Sequence, residues 1–156
     1  MADLLESACY VLGNEVPPGD QPAENKASDR GGLTHFGWTI AGLRDLFPNL
    51  PDEALANMIR TMTRAEAEAY LTQWATKYHV DTISDGPLQT ALLDCMFLYG
   101  PGTAIRALQR ILGVTDDGIP GPVTQAAWRA CNAPRLRVLL AEWARAHGVE
   151  IVLHDV

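Results

Sequence analysis

Residues 86 to 99, GPLQTALLDCMFLY, limit the possible folds more than any other stretch of the chain. Leu88, Ala91, Leu92, Cys95, Met96 and Tyr99 recur at the three- and four-residue spacing of a helix face. A helix this apolar has to be surrounded, so the segment reads as a central helix on which the others pack. Gly100-Pro101-Gly102 then breaks or bends it.

The flanking segments supply the partners. Downstream, Ala104, Ile105, Leu108, Ile111 and Leu112 give a helix over 102–112, and two more follow at 121–131 and 134–147. The loop between them, Asp116-Asp117-Gly118-Ile119-Pro120-Gly121-Pro122, is turn-dense and lacks the remaining acidic ligands of a calcium-binding loop. Upstream, short helical patterns at 39–47 and 52–60 are separated by Pro48 and Pro51. Thr63-Arg64-Ala65-Glu66 is a capping box that opens a helix running to about Lys77. At the start, Leu4, Leu5, Ala8, Val11 and Leu12 predict a helix over 2–13, stopped by Gly13-Asn14 and Pro17-Pro18-Gly19.

Between that first helix and residue 39 the pattern changes. Residues 16–33 are a loop by composition, at about 18 residues longer than an ordinary connection, and loops of that length in compact domains tend to carry function. Thr34, Phe36 and Trp38 alternate with His35 and Gly37, which marks a short strand or hairpin at the loop's end. The predicted class is therefore mostly α, with a long catalytic loop or small hairpin after the first helix.

Several function classes fall away on composition. The 156 residues are 47% apolar, enough for one packed domain, and no window approaches 18 uninterrupted apolar residues. Two acids in the first six residues do not make a secretory leader, so the chain is expected to be cytoplasmic as synthesised. The net charge of -7 disfavours nucleic acid as a partner. Cys9, Cys95 and Cys131 show no ligand spacing and read as small hydrophobes. His35, His79, His147 and His154 are too scattered for a metal site, and no cofactor is implied.

Glu15 and Asp29 are the carboxylates of interest. Glu15 sits just past a predicted helix C-terminus, where the negative end of the helix dipole favours the protonated form that a general acid needs. Asp29 and the hydroxyl of Thr34 follow from the adjacent loop, and glycosidic cleavage needs such a second group on the far face of the sugar. His35 reads as either a hydrogen-bonded structural residue or a substrate contact. Trp38, Trp74, Tyr70 and Tyr99 are open to two readings, core packing or stacking on sugar rings.

Taken in order, these pieces resemble one family. Val11-Leu12-Gly13-Asn14-Glu15, then Asp29-Arg30-Gly31-Gly32-Leu33-Thr34-His35-Phe36-Gly37-Trp38-Thr39, then Ala67-Glu68-Ala69-Tyr70 with Trp74 match it. So do Asp94 to Gly100, Ala104, Leu108-Gln109, and Asp117-Gly118-Ile119-Pro120-Gly121-Pro122-Val123-Thr124. The chain is similar to the glycoside hydrolase 108 family, phage endolysins and bacterial N-acetylmuramidases with a C-terminal peptidoglycan-binding segment.

The resemblance implies a lysozyme-like domain, catalytic over 1–99 and peptidoglycan-binding-like over 100–156. It implies a monomeric enzyme acting on bacterial peptidoglycan, reaching the wall by a holin, a secretion apparatus or packaging in a virion. Carried over by residue, Glu15 is the acid, Asp29 the second carboxylate and Thr34 the water-positioning hydroxyl. Asp20, His35, Trp38, Tyr70 and Tyr99 fall to substrate binding. The sequence departs from the pattern in two places. Glu15 is followed by Val16-Pro17 rather than Gly-Gly-Tyr, and counting back from Asp29 at the family spacing lands on Asp20. An insertion after Glu15, a shift of the acid to Asp20, or an inactive binding or phage structural relative each fits. A lytic transglycosylase also uses a single Glu. The second departure is Leu98, where the family carries Asn.

Overall fold

The computed structural model describes residues 24–25 and 33–147. The described chain is mostly helical. Three short strands, β1 (Glu24–Asn25), β2 (Leu33–His35) and β3 (Trp38–Thr39), form one antiparallel sheet in that order. Seven helices follow: α1 (Ile40–Leu46), α2 (Asp52–Arg60), α3 (Arg64–Lys77), α4 (Gly86–Tyr99), α5 (Pro101–Leu112), α6 (Pro122–Ala130) and α7 (Ala133–Ala146). A single 3-10 turn at Val80–Thr82 links α3 to α4.

The helix ends follow the local chemistry. Thr63 Oγ1 accepts from the Glu66 amide at 3.2 Å while Glu66 Oε1 accepts from the Thr63 amide at 3.0 Å, so the capping box is closed at the start of α3. Asp85 accepts from Leu88 N at 2.9 Å and Pro87 lies in the first turn, which starts α4. Gly100 has φ 90° and ψ 151°, a conformation that L side chains rarely adopt, and it separates α4 from α5.

α4 is the centre of the core, as its composition requires. Every residue from Pro87 to Met96 is buried, and α5 and α7 pack on it while α6 joins through α5. The hydrophobic cluster runs without a break from Phe36 and Trp38 through Trp74, Leu88 and Met96 to Leu140 and Ala144, so the helices on both sides of Gly100 share it. Two polar ties cross the same boundary: Trp128 Nε1 donates to Thr82 Oγ1 at 3.0 Å, and the Tyr99 hydroxyl donates to Ala144 O at 3.2 Å. Cys95 is fully buried, and burial together with the charge of Asp94 pushes its thiol up to about 12, so it behaves as a small hydrophobe.

The hairpin differs from simple alternation. Thr34 pairs with Thr39 and His35 with Trp38, leaving Phe36-Gly37 as a two-residue turn with φ of 52° and 81°. Positive φ at both positions is the geometry that matches strand twist, although a bulky residue seldom takes the first of them. Burial holds Phe36 there: it is 3% exposed, its ring stacks on His35 at 4.3 Å, and the Arg64 guanidinium lies 5.4 Å above it. Gly37 is required twice over, because its φ is positive and a Cβ would sit 2.4 Å from Phe97 Cε2. Gly37→Ala is therefore expected to cost about 2–3 kcal/mol from overpacking and left-handed strain, read by denaturant unfolding. An unchanged midpoint would mean that Phe97 moves aside freely.

The Leu108-Gln109 and Asp117-to-Thr124 motifs prove to be one network. Buried Gln109 shares the two N–H groups of Nε2 among three acceptors, Asp117 Oδ1 at 3.0 Å, Ile119 O at 3.1 Å and Thr124 Oγ1 at 3.0 Å, and its Oε1 accepts from Gly118 N at 2.9 Å. The Ile119 amide and then the Gln109 amide lower the Asp117 carboxyl below its ordinary value. A depressed carboxylate adds stability above its unfolded pKa, lost as pH falls through the folded value. Asp117→Asn should thus flatten the loss of stability below about pH 4, measured as Tm against pH. An acid limb identical to that of the parent would remove Asp117 from this role.

Candidate functional site

The first turn of α1, the end of β3 and the last turn of α4 converge on a cleft of about 450 Å³. Its described walls include Thr39, Asp45, Trp74, Phe97, Leu98 and Tyr99. Thr39 closes β3 and caps α1, accepting from Gly42 N at 3.1 Å, and its own hydroxyl proton can donate into the cleft. Thr34 is described by its backbone alone, which places it directly beside Thr39 across the hairpin.

Asp45 anchors the floor. One of its oxygens accepts from Trp74 Nε1 at 2.7 Å, the Tyr78 hydroxyl reaches both at 2.8 Å, and Lys77 Nζ lies 3.2 Å away. Three donors on one carboxylate fix its position and hold the Trp74 ring in a single orientation. Burial first, then the hydrogen bond and charge of Asp45, push the Tyr78 phenol far above its ordinary value, so it stays a donor. The sequence contains a signal for Asp45 that its motifs do not: an acid in the last turns of a helix opposes the dipole, and so requires a partner elsewhere. Asp94, placed by the sequence only within the Asp94-to-Gly100 motif, is 5% exposed in the middle of α4. A charge inside so apolar a run is its signal.

The residues expected to act at the site are distributed unevenly. Glu15, Asp20 and Asp29 lie outside the described residues. Tyr99 lines the cleft, with its ring edge-on to Trp143 at 4.9 Å. His35 and Trp38 do not face it. His35 is 6% exposed and its Nδ1 lies 2.7 Å from Ile59 O, which ties the hairpin to α2. Trp38 is 1% exposed, donates through Nε1 to Ala67 O at 3.1 Å, and packs on Trp74 and Phe97. Both are held by packing because the β2–β3 hairpin lies over the α2–α3 core. Tyr70 is half-buried on α3, edge-on to Trp38 and Phe47 rather than in the cleft. Among the described residues no group of three His, Cys, Asp or Glu side chains is placed to hold a metal ion.

The glycosyl hydrolase 108 family matches residues 19–100, from just before Asp20 to the end of α4. The structure of Brucella abortus SagA superposes with a TM-score of 0.73 at 25% identity, over 94% of this chain and 80% of that one. No curated protein matches the sequence.

Proposed function

The chain belongs to the glycosyl hydrolase 108 family, and from that membership we propose that it is an N-acetylmuramidase of phage or prophage origin. The bond cut is the β-1,4 link between N-acetylmuramic acid and N-acetylglucosamine. Membership makes it a glycoside hydrolase acting on peptidoglycan, and the observation that carries the finer reading is the span of the match. That span takes in Asp20, Asp29, the hairpin with Thr34 and the cleft wall from Thr39 to Gly100, and it begins four residues after Glu15.

In this reading Glu15 protonates the leaving oxygen, Asp29 stabilises or directs attack on the opposite face, and Thr34 positions water. The helices after Gly100 serve as an accessory surface for the glycan. Among the described residues no helix is long and apolar enough to cross a membrane. The test is incubation of the protein with purified peptidoglycan, following new reducing ends and product masses. Reducing muramic acid ends support the reading. Anhydro-muramic ends would make the protein a transglycosylase, and binding without cleavage would make it an inactive relative.

Thr34→Ala is expected to lower turnover about 10–100-fold, the loss of a positioned hydroxyl, with the melting temperature close to that of the parent. Parental turnover in that variant would remove Thr34 from the mechanism.

A further inference from the structure

We propose that Asp94 supplies a fixed negative charge behind the cleft, which stabilises the positive charge developing on the sugar ring as the glycosidic bond breaks. The inference rests on the glycosidase reading above and adds a residue to which that reading gives no role. Three polar side chains of α4 are buried, Gln89, Thr90 and Asp94. Gln89 is occupied by the turn before the helix, donating through Nε2 to Val80 O at 3.1 Å and Ile83 O at 3.4 Å. Thr90 and Asp94 stand one turn apart on another face, which Phe97 and Leu98 continue at three and four residues further on. Phe97 and Leu98 line the cleft, and the Phe97 ring lies against Gly37 of the hairpin.

Helical side chains lean toward the N-terminus, so Phe97 and Leu98 lean back over the turn that carries Asp94. Along the helix axis Asp94 is about 4.5–7.5 Å behind the cleft residues Phe97, Leu98 and Tyr99. Its charge reaches that wall: burial, then Cys95, then Asp94 push the Tyr99 phenol above its ordinary value. A charge in so apolar a helix is costly, and a neutral side chain of the same shape would pack α4 at a lower cost. It helps where positive charge appears, and glycoside cleavage passes through an oxocarbenium-like transition state. The bound sugar carries no such charge beforehand, so the attraction acts on kcat and leaves KM unchanged. At about 8–10 Å and an effective dielectric of about 20, one unit charge is worth about 10–30-fold in rate.

The experiment follows reducing ends released from solubilised peptidoglycan by the parent, Asp94→Asn, Asp94→Glu and Glu142→Gln, each below its melting temperature. Asp94→Asn keeps the shape and loses the charge. Its kcat should fall about 10–30-fold with KM unchanged and the melting temperature no lower than the parent's. The ratio should be the same at low and physiological salt, because buried charges are screened little. Asp94→Glu keeps the charge and should stay within about threefold of the parent. Glu142→Gln removes an exposed acid on α7, outside the cleft, and should match the parent. Parental kcat in Asp94→Asn, a loss confined to KM, or an equal loss in Asp94→Glu would overturn the inference while the glycosidase reading survives. An Asp94→Asn chain that does not fold would make the carboxylate structural and overturn it as well. If the parent releases no reducing ends, both fall together.

Discussion

Replacing Glu15 by glutamine is expected to lower the release of reducing ends from purified peptidoglycan by about 10²–10⁴-fold, the usual contribution of a general acid. The glycosidic oxygen is a poor leaving group unless a proton reaches it as the bond breaks. A carboxylic acid supplies that proton, whereas an amide of nearly the same shape does not. Folding should be unaffected, because the change alters one terminal group, and circular dichroism melts should superimpose. Asp20→Asn is the companion variant, since the family match starts at residue 19, between the two candidate acids. A wild-type rate in Glu15→Gln together with a dead Asp20→Asn would transfer the acid to Asp20. Loss in both would mean that the two carboxylates act together.

The largest expected change in stability comes from Trp38→Ala. Trp38 lies 1% exposed at the junction of β3, α3 and α4, against Tyr70, Trp74 and Phe97, with its indole N–H on Ala67 O. Truncating it opens a large cavity and strips a buried carbonyl of its donor, at a cost of about 3–5 kcal/mol. For a chain of this size that corresponds to a fall in Tm of roughly 6–20 °C by calorimetry. Trp38→Phe keeps most of the ring and should recover more than half of the loss. The competing idea is that the ring stacks on sugar. It would be favoured if Trp38→Ala melted with the parent while binding glycan less tightly.

These two residues also mark the limits of reading the chain alone. Local chemistry determined the helices: α2 and α4 occupy the ranges that their patterns define, 52–60 and 86–99, and the Thr63–Glu66 box closes as its spacing requires. Capping, proline position and three-to-four periodicity act within a few residues, so they are visible in one dimension. The hairpin was legible in place but not in detail. Alternation put Phe36 on a strand, whereas it forms the turn, because packing against His35 and Arg64 outweighs its poor fit to positive φ. β1 falls inside the stretch whose composition marks a loop, since two residues are too few to show a period.

The cleft was the least legible part. Asp45, Trp74 and Leu98 are far apart in the chain, and each looks ordinary where it stands: an acid on a short helix, an aromatic in a core pattern, an aliphatic near a turn. The sequence by itself determined a helical domain built around α4, the family motifs and the choice of candidate acids. Only the tertiary structure decided which aromatic side chains are core and which face the cleft, because both kinds obey the same helical spacing. Burial is settled by what packs from the other side: Trp38 is enclosed by α3 and α4, while Tyr99 and Leu98 sit where α4 ends and nothing described covers them completely.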